Sequence, residues 1–290
     1  MQETNLYSKI IAGTMTWGSW GKQLSKTQMA DLMNYCVALG ITTFDHADIY
    51  GDYGTEEAFG SAFSESGIDR SQIQLISKCG IQMTNGRKNK VAHYQYDADY
   101  IIWSAEQSLK KLQTEYLDLL LIHRPSPLMQ PNEIAKAVQK LKADGKIKEF
   151  GVSNFTPSQI ALLETKISVS TNQVEFSLTH DNPMYDGTFD DCITKNRVAM
   201  AWSPLGSFFK EKNHQNNRIA NVFRDLEDKY EADASQLLLA FIMHHPAKVF
   251  PVVGTTNKER LRNSLEAINI NLELQDWFIL LEASKGEKVP

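Results

Sequence analysis

A chain of 290 residues, 42% hydrophobic and 22% charged, has the composition of a globular protein, and its length fits one α/β barrel or two smaller domains. Its net charge of −5, with no long basic run and no interleaving of aromatic and basic residues, argues against a nucleic-acid partner. The polar start MQETNLYSK lacks the apolar core of a secretory leader, no run reaches the roughly 20 apolar residues that span a bilayer, and the dispersed Cys36, Cys79 and Cys192 make neither a zinc pattern nor a disulfide framework, so a reducing cytoplasm is the expected location.

Apolar runs of strand length alternate with helical patterns along the whole chain. KIIAGTM (9–15) is a first strand, followed by a helix over 25–40 with a Ser cap and a Gly stop. ITTFDHAD (41–48) is the second, then a helix over 55–63. QIQLISKCG (72–80) is the third, followed by a long insertion and a helix over 97–112. YLDLLLIHR (116–124) is the fourth, then a helix over 131–145. IKEFGVSNF (147–155) precedes a helix over 156–165, and STNQVEFS (170–177) a weaker one over 188–196. VAMAWSPLG (198–206) leads through a second insertion to helical material from about 217 to 244. KVFPVVGTT (248–256) precedes a helix over 257–267, and 272–283 reads as a last helix.

Eight β–α units predict a (β/α)₈ TIM barrel, an α/β fold with residues 1–290 as a single domain, a C-terminal helix and extended loops at the C-terminal face. The near-continuous apolar strands suit burial on both faces. A doubly wound sheet would carry a glycine fingerprint after its first strand, and GTMTWGSWGK has the wrong spacing.

Four residues sit at or just after the C-terminal ends of strands two to four: Asp45, Tyr50, Lys78 and His123. In a parallel barrel they share one face. An ammonium beside a phenol stabilises the phenolate, which predicts an acidic Tyr50 that protonates a carbonyl oxygen. Asp45 would hold Lys78 by a charge-assisted bond, and His123 would orient the oxygen. Singly, each also fits a cap, a strand end or a core position. No nucleophile is evident, so carbonyl reduction or its reverse is the expected chemistry. The later strand ends suit a cofactor. Ser153, Asn154 and Gln173 offer hydroxyl and amides for a carboxamide, and Trp202 offers a flat face. Thr255 and Thr256 precede a helix beginning near Asn257, with Arg260 one turn in, a combination suited to phosphate.

The motifs DHADIYG, SKCG, LDLLLIHRP, GVSNF, TNQVE, AWSPLG and PVVGTTNKERL resemble, in order and spacing, the aldo/keto reductases, and DHADIYG with SKCGI resembles a bacterial branch of predicted oxidoreductases. The resemblance implies a barrel that binds NADPH without a Rossmann domain, a tetrad of Asp45, Tyr50, Lys78 and His123 with Tyr50 as proton donor, and a small carbonyl substrate. It further implies that Ser153, Asn154 and Gln173 hold the nicotinamide carboxamide and Trp202 stacks on the ring. Ser203, Leu205 and Gly206 would line the pyrophosphate, with Gly13, Thr14 and Met15 beside the cofactor.

Two pairs of positions depart from the family pattern. Gly254 and Thr255 stand where many relatives carry Lys-Ser for the 2′-phosphate, and Asn263 and Ser264 where relatives often carry Glu-Asn against adenine. NADPH then rests on Thr255, Asn257 and Arg260, with NADH left open. Trp17, His93 and Tyr94 are candidates for the substrate pocket, against plain loop packing. No metal is expected. The alternative function is a cofactor-binding regulatory or sensor subunit of the potassium-channel β-subunit type. No partner helix or inactivation segment speaks for it.

Overall fold

The computed structural model describes residues 6–288; residues 1–5, which hold part of the polar start, and 289–290 lie outside the described residues. In chain order the elements are β1 (Ile11–Gly13), α1 (Lys26–Ala38), β2 (Thr43–Asp45), α2 (Tyr50–Tyr53), α3 (Thr55–Ser66), β3 (Gln74–Cys79), β4 (Ile81–Gln82), β5 (His93–Tyr94), α4 (Ala98–Leu112) and β6 (Leu117–Ile122). They continue with α5 (Pro131–Ala143), β7 (Ile147–Ser153), α6 (Pro157–Glu164), β8 (Thr171–Glu175), α7 (Thr188–Lys195), β9 (Val198–Trp202), α8 (His214–Tyr230), α9 (Ala234–Met243), β10 (Phe250–Val253), α10 (Lys258–Glu266) and α11 (Leu274–Lys285).

Eight strands close a parallel barrel in the order β1-β10-β9-β8-β7-β6-β3-β2, while β4 and β5 form a separate antiparallel pair. This is the (β/α)₈ barrel the alternation predicts. The strands are apolar throughout because they face two cores. Ile11, Ile76, Leu119, Leu121, Met200 and Val252 fill the barrel's interior, joined from below by Tyr7. Their alternates, such as Leu75, Leu120, Phe150 and Ala199, pack outward against the helices.

Local chemistry sets the helix limits. Ser25 with Gln28, and Thr156 with Gln159, form capping boxes that satisfy the first free amides of α1 and α6. The helical stretch read over 217–244 is two helices. Asn213 caps α8 from Asn216 N, which starts it at His214. Glu231 takes a left-handed φ of 49°, and Asp233 with Gln236 makes a new capping box that restarts the chain as α9. The insertion after β3 is not wholly irregular, since it contains the β4–β5 hairpin. Among the described residues no helix is long and apolar enough to cross a membrane.

Gly60 marks the tightest approach between α3 and α4. A Cβ there would lie 2.0 Å from the Lys111 carbonyl oxygen and 2.7 Å from the Leu112 carbonyl carbon. Alanine is the better helix former by roughly 1 kcal/mol, but this clash is with backbone. Gly60→Ala is therefore expected to destabilise the protein, by about 1–3 kcal/mol as for other overpacked sites. Chemical denaturation measures it, and a gain in stability would show that α4 shifts freely.

Candidate active site

The barrel's parallel register brings the early strand ends together. Asp45 closes β2 and pairs with Ile76 in β3; two residues on, Lys78 pairs with Leu121 in β6, and His123 follows at once after β6. Tyr50 is delivered by the turn after β2, where its amide donates to Ala47 O at 3.1 Å. Gly51 and Asp52 then take left-handed φ values of 59° and 54°, which turn the chain into α3. All four side chains gather at the C-terminal face.

The Lys78 ammonium is the centre of the cluster. It donates to both Asp45 oxygens at 2.8 and 2.7 Å, to His46 O at 2.8 Å and to Tyr50 Oη at 3.2 Å. Lys78 and Asp45 are both buried. Burial alone would drive the ammonium toward its neutral form, but the Asp45 carboxylate and the Tyr50 oxygen overcome it and leave the Lys78 pKa raised. The lysine stays charged.

Tyr50 differs from the acidic phenol expected. Burial dominates and leaves its pKa above the ordinary 10, although Lys78 and, more weakly, Arg124 pull it down. The His123 ring stands edge-on to Tyr50, with centroids 6.1 Å apart at 80°. Burial, then the charges of Lys78 and Arg124, hold the His123 pKa well below 6.5. The imidazole is therefore neutral, with a buried Nδ1 that has no partner.

The later strand ends meet the same cluster. Gln173 donates its amide to Asp45 Oδ1 at 2.9 Å, across the barrel from β8. Ser153 Oγ donates to Gln173 O at 2.8 Å and accepts from Asn154 Nδ2 at 2.8 Å. Trp202 Nε1 donates to Asn154 Oδ1 at 2.9 Å, which fixes the plane of the indole. Among the described residues this leaves one N–H of Asn154 and the amide oxygen of Gln173 without a partner, a donor and an acceptor that match a primary carboxamide. Asn154 and Ser203 hold left-handed φ values of 62° and 53°, backbone strain placed where β7 and β9 end. Gly206, with φ 56°, has room only for hydrogen, since a Cβ would meet Thr179 Oγ1 at 2.0 Å; half-buried Leu205 packs beside it against the core.

Around β1 and β10 the picture is mixed. Gly13 ends β1 against Val252 and Val253. Thr14 is buried and committed, donating to Asp45 O at 2.9 Å and contacting His46 Nδ1 at 2.9 Å. Met15 is exposed. Beyond β10, Gly254 is open, Asn257 caps α10 through Arg260 N at 3.0 Å, Thr255 Oγ1 accepts from Asn257 N at 3.2 Å, and Thr256 is half-buried. The departure on the adenine side is occupied elsewhere: Asn263 donates to Asp233 at 2.9 Å and Ser264 to Arg260 O at 2.8 Å.

The substrate-pocket expectation needs correction at Trp17. Trp17 is 0% exposed and packs in the core against Phe44 and Phe59, each 6.1 Å away, because its amide folds back onto Thr14 O. Trp20, three residues on and 37% exposed, lies beside Tyr50 instead, with centroids 6.2 Å apart. His93 and Tyr94 sit exposed on β5; His93 Nδ1 bonds to Val91 O and Tyr94 stacks on Tyr96. Arg124, which the sequence reading passed over, is half-buried with its guanidinium carbon 5.4 Å from the Trp202 ring. Its place directly after His123 was the available signal.

A parallel eight-stranded barrel with a buried lysine–carboxylate pair against a tyrosine defines a class of barrel enzyme. The aldo/keto reductase family model matches residues 9–284, and the chain belongs to that family. It is 39% identical to "Oxidoreductase YdhF" of Escherichia coli over 290 residues, covering 98% of this chain and 96% of that one. It is 36% identical to a 6-dehydroglucose reductase of Agrobacterium fabrum over 297 residues, covering 100% of both. An aldo/keto reductase of Klebsiella pneumoniae, solved with NADP and acetate, superposes with a TM-score of 0.79 at 26% identity, over 98% of this chain and 93% of that one.

Behind the tetrad lies a second buried polar group. Asp48 accepts from Ser104 Oγ at 3.1 Å, and Glu56 accepts from Ser77 Oγ at 2.6 Å. Burial, and then the charge of Glu56, push Asp48 from 3.8 up to about 7, against the pull of Ser104, Arg87 and the Ile49 amide. The folded state thus binds this proton more tightly than the unfolded chain does. The resulting stability is complete below the unfolded value of 3.8 and is lost as pH rises through about 7. Asp48→Asn removes the ionisation. Urea unfolding of both proteins should show the variant gaining on wild type by about 2 kcal/mol between pH 5 and 7, at 1.36 kcal/mol per unit and with the folded group half ionised at the upper end. A difference that stays constant with pH would sink the assignment.

Proposed function

We propose that this chain, acting as one domain over residues 1–290, reduces an aldehyde or ketone to an alcohol with NADPH, with Tyr50 as general acid. The observation that carries the reading is the Lys78 ammonium, held by Asp45 and in contact with the Tyr50 hydroxyl beside a neutral His123. Bound NADPH supplies a hydride to the carbonyl carbon. The spare N–H of Asn154 and the Gln173 oxygen fit its carboxamide, and Trp202 fits the ring. The α10 amino terminus with Arg260 fits a phosphate. Gly13, Met15, Ser203, Leu205, Gly206, Gly254, Thr255, Thr256 and Asn257 are proposed to line the remaining cofactor surface.

The protein's own part is proton transfer and orientation. The neutral imidazole of His123 offers an N–H to the carbonyl oxygen. Tyr50 donates its proton to the same oxygen as negative charge builds there. A phenol raised above its ordinary pKa suffices, because the developing alkoxide is far more basic than a phenolate. Lys78, 3.2 Å away, then stabilises the phenolate, and Asp45 and Gln173 hold Lys78 in place. The oxidoreductase names of the relatives and the NADP complex of the Klebsiella protein support this reading.

Tyr50→Phe is expected to lower kcat/KM by about 10²–10⁴, the range for a lost general acid, while NADPH binding followed by fluorescence persists. Near wild-type turnover of every substrate by this variant would show that another group donates the proton. Wild-type protein that binds NADPH yet oxidises none of it across a broad carbonyl panel would favour the sensor reading.

A further inference from the structure

The charge inventory of the site leaves one cation over. Asp45 neutralises Lys78, and His123 is neutral. Arg124 stands at the end of β6 with its carbonyl oxygen held by the Tyr96 hydroxyl, so its backbone is anchored. Its guanidinium lies over the Trp202 ring, whose plane is set by the bond to Asn154. The charge reaches both groups that would meet a carbonyl oxygen, working against the burial that raises the pKa of Tyr50 and adding to the burial that lowers that of His123. Among the described residues no carboxylate or carbonyl oxygen accepts a hydrogen bond from this guanidinium. Among the described residues this half-buried cation, stacked on Trp202, has a fork of donors with no hydrogen-bond acceptor.

We propose that Arg124 is the specificity-determining residue, selecting carbonyl compounds that carry acceptor oxygens close to the reacting carbon; this rests on the carbonyl-reductase reading above. The recognised chemistry is an oxygen acceptor, supplied by a carboxylate or by hydroxyl groups. A carboxylate takes the planar guanidinium fork in two parallel charge-assisted bonds, and hydroxyls accept single ones. A bare alkyl aldehyde offers neither and leaves the donors unpaired. A site with unpaired polar groups discriminates strongly against substrates that lack the matching group.

The test uses full-length protein, NADPH and two matched substrate pairs: 4-oxobutanoate against butanal, and glyceraldehyde against propanal. In wild type the oxygenated member of at least one pair is expected to have a kcat/KM higher by about 10- to 100-fold, the worth of a hydrogen bond to a charged group. In Arg124→Met that ratio should fall toward one, and the pair whose ratio collapses identifies the source of the oxygen. Arg124→Lys keeps the charge without the fork, so it should retain part of a carboxylate preference. NADPH binding by each variant separates loss of fold from loss of recognition. Ratios near one in wild type, or ratios unchanged in Arg124→Met, overturn the proposal while leaving carbonyl reduction standing. No NADPH oxidation by wild type on any of the four, or on a wider panel, overturns carbonyl reduction and this proposal with it.

Discussion

The buried ion pair between Lys78 and Asp45 is the constraint around which the barrel's C-terminal face is arranged. Two charges withdrawn from water carry a desolvation cost that pairing alone often fails to recover. Here the recovery is shared among several partners. The His46 carbonyl takes one ammonium proton, the Tyr50 oxygen another, and Gln173 adds a donor to the carboxylate from the far side of the barrel. Thr14 braces the Asp45 backbone as well. Only a closed sheet places β2, β3 and β8 so that one carboxylate is reached by all of them. The fold is in this sense a condition for keeping a charged lysine dry.

The same burial that strengthens the pair acts on its neighbours. It forces His123 to remain neutral and lifts Tyr50 above its ordinary pKa. The two effects agree with a single chemical role. A neutral imidazole donates without competing for the proton, and a phenol that holds its proton at rest gives it up only when a stronger base forms beside it. In the proposed transfer Lys78 would act mainly on the product side, on the phenolate. The cluster would then resist ionising at rest and favour it when the substrate oxygen becomes basic.

Much of this was legible in the sequence because the barrel writes a simple pattern. Asp45, Lys78 and His123 each follow an apolar run, and parallel strands of that kind point their C-terminal ends to one face. What stayed hidden depended on depth and on turns. Trp17 and Trp20 stand in one loop, and the fold of the chain at Thr14 decides which enters the core. Burial reversed the expected direction for Tyr50, and burial is not written in a spacing. The break at Glu231 did leave a trace, since Asp233 with Gln236 is a capping-box pattern inside a helical stretch. The strands of the 81–94 hairpin are two residues long, too short for any alternation to show.

The two ends of the cofactor face are built differently. Near the tetrad the polar groups are interlocked: Trp202 on Asn154, Asn154 on Ser153, Ser153 on Gln173 and Gln173 on Asp45. A ligand that engages the open donor and acceptor of this chain meets groups already held in place, so little ordering entropy opposes it. Between β10 and α10 the residues are exposed or half-buried, Gly254 contributes no side chain, and Asn263 and Ser264 are tied into the protein. In the proposed binding mode, recognition there would fall to exposed backbone amides and Arg260, where water screens each contact. The interlocked end would then fix where a carboxamide sits relative to Tyr50, while the open end would leave the phosphate grip weaker and more dependent on salt.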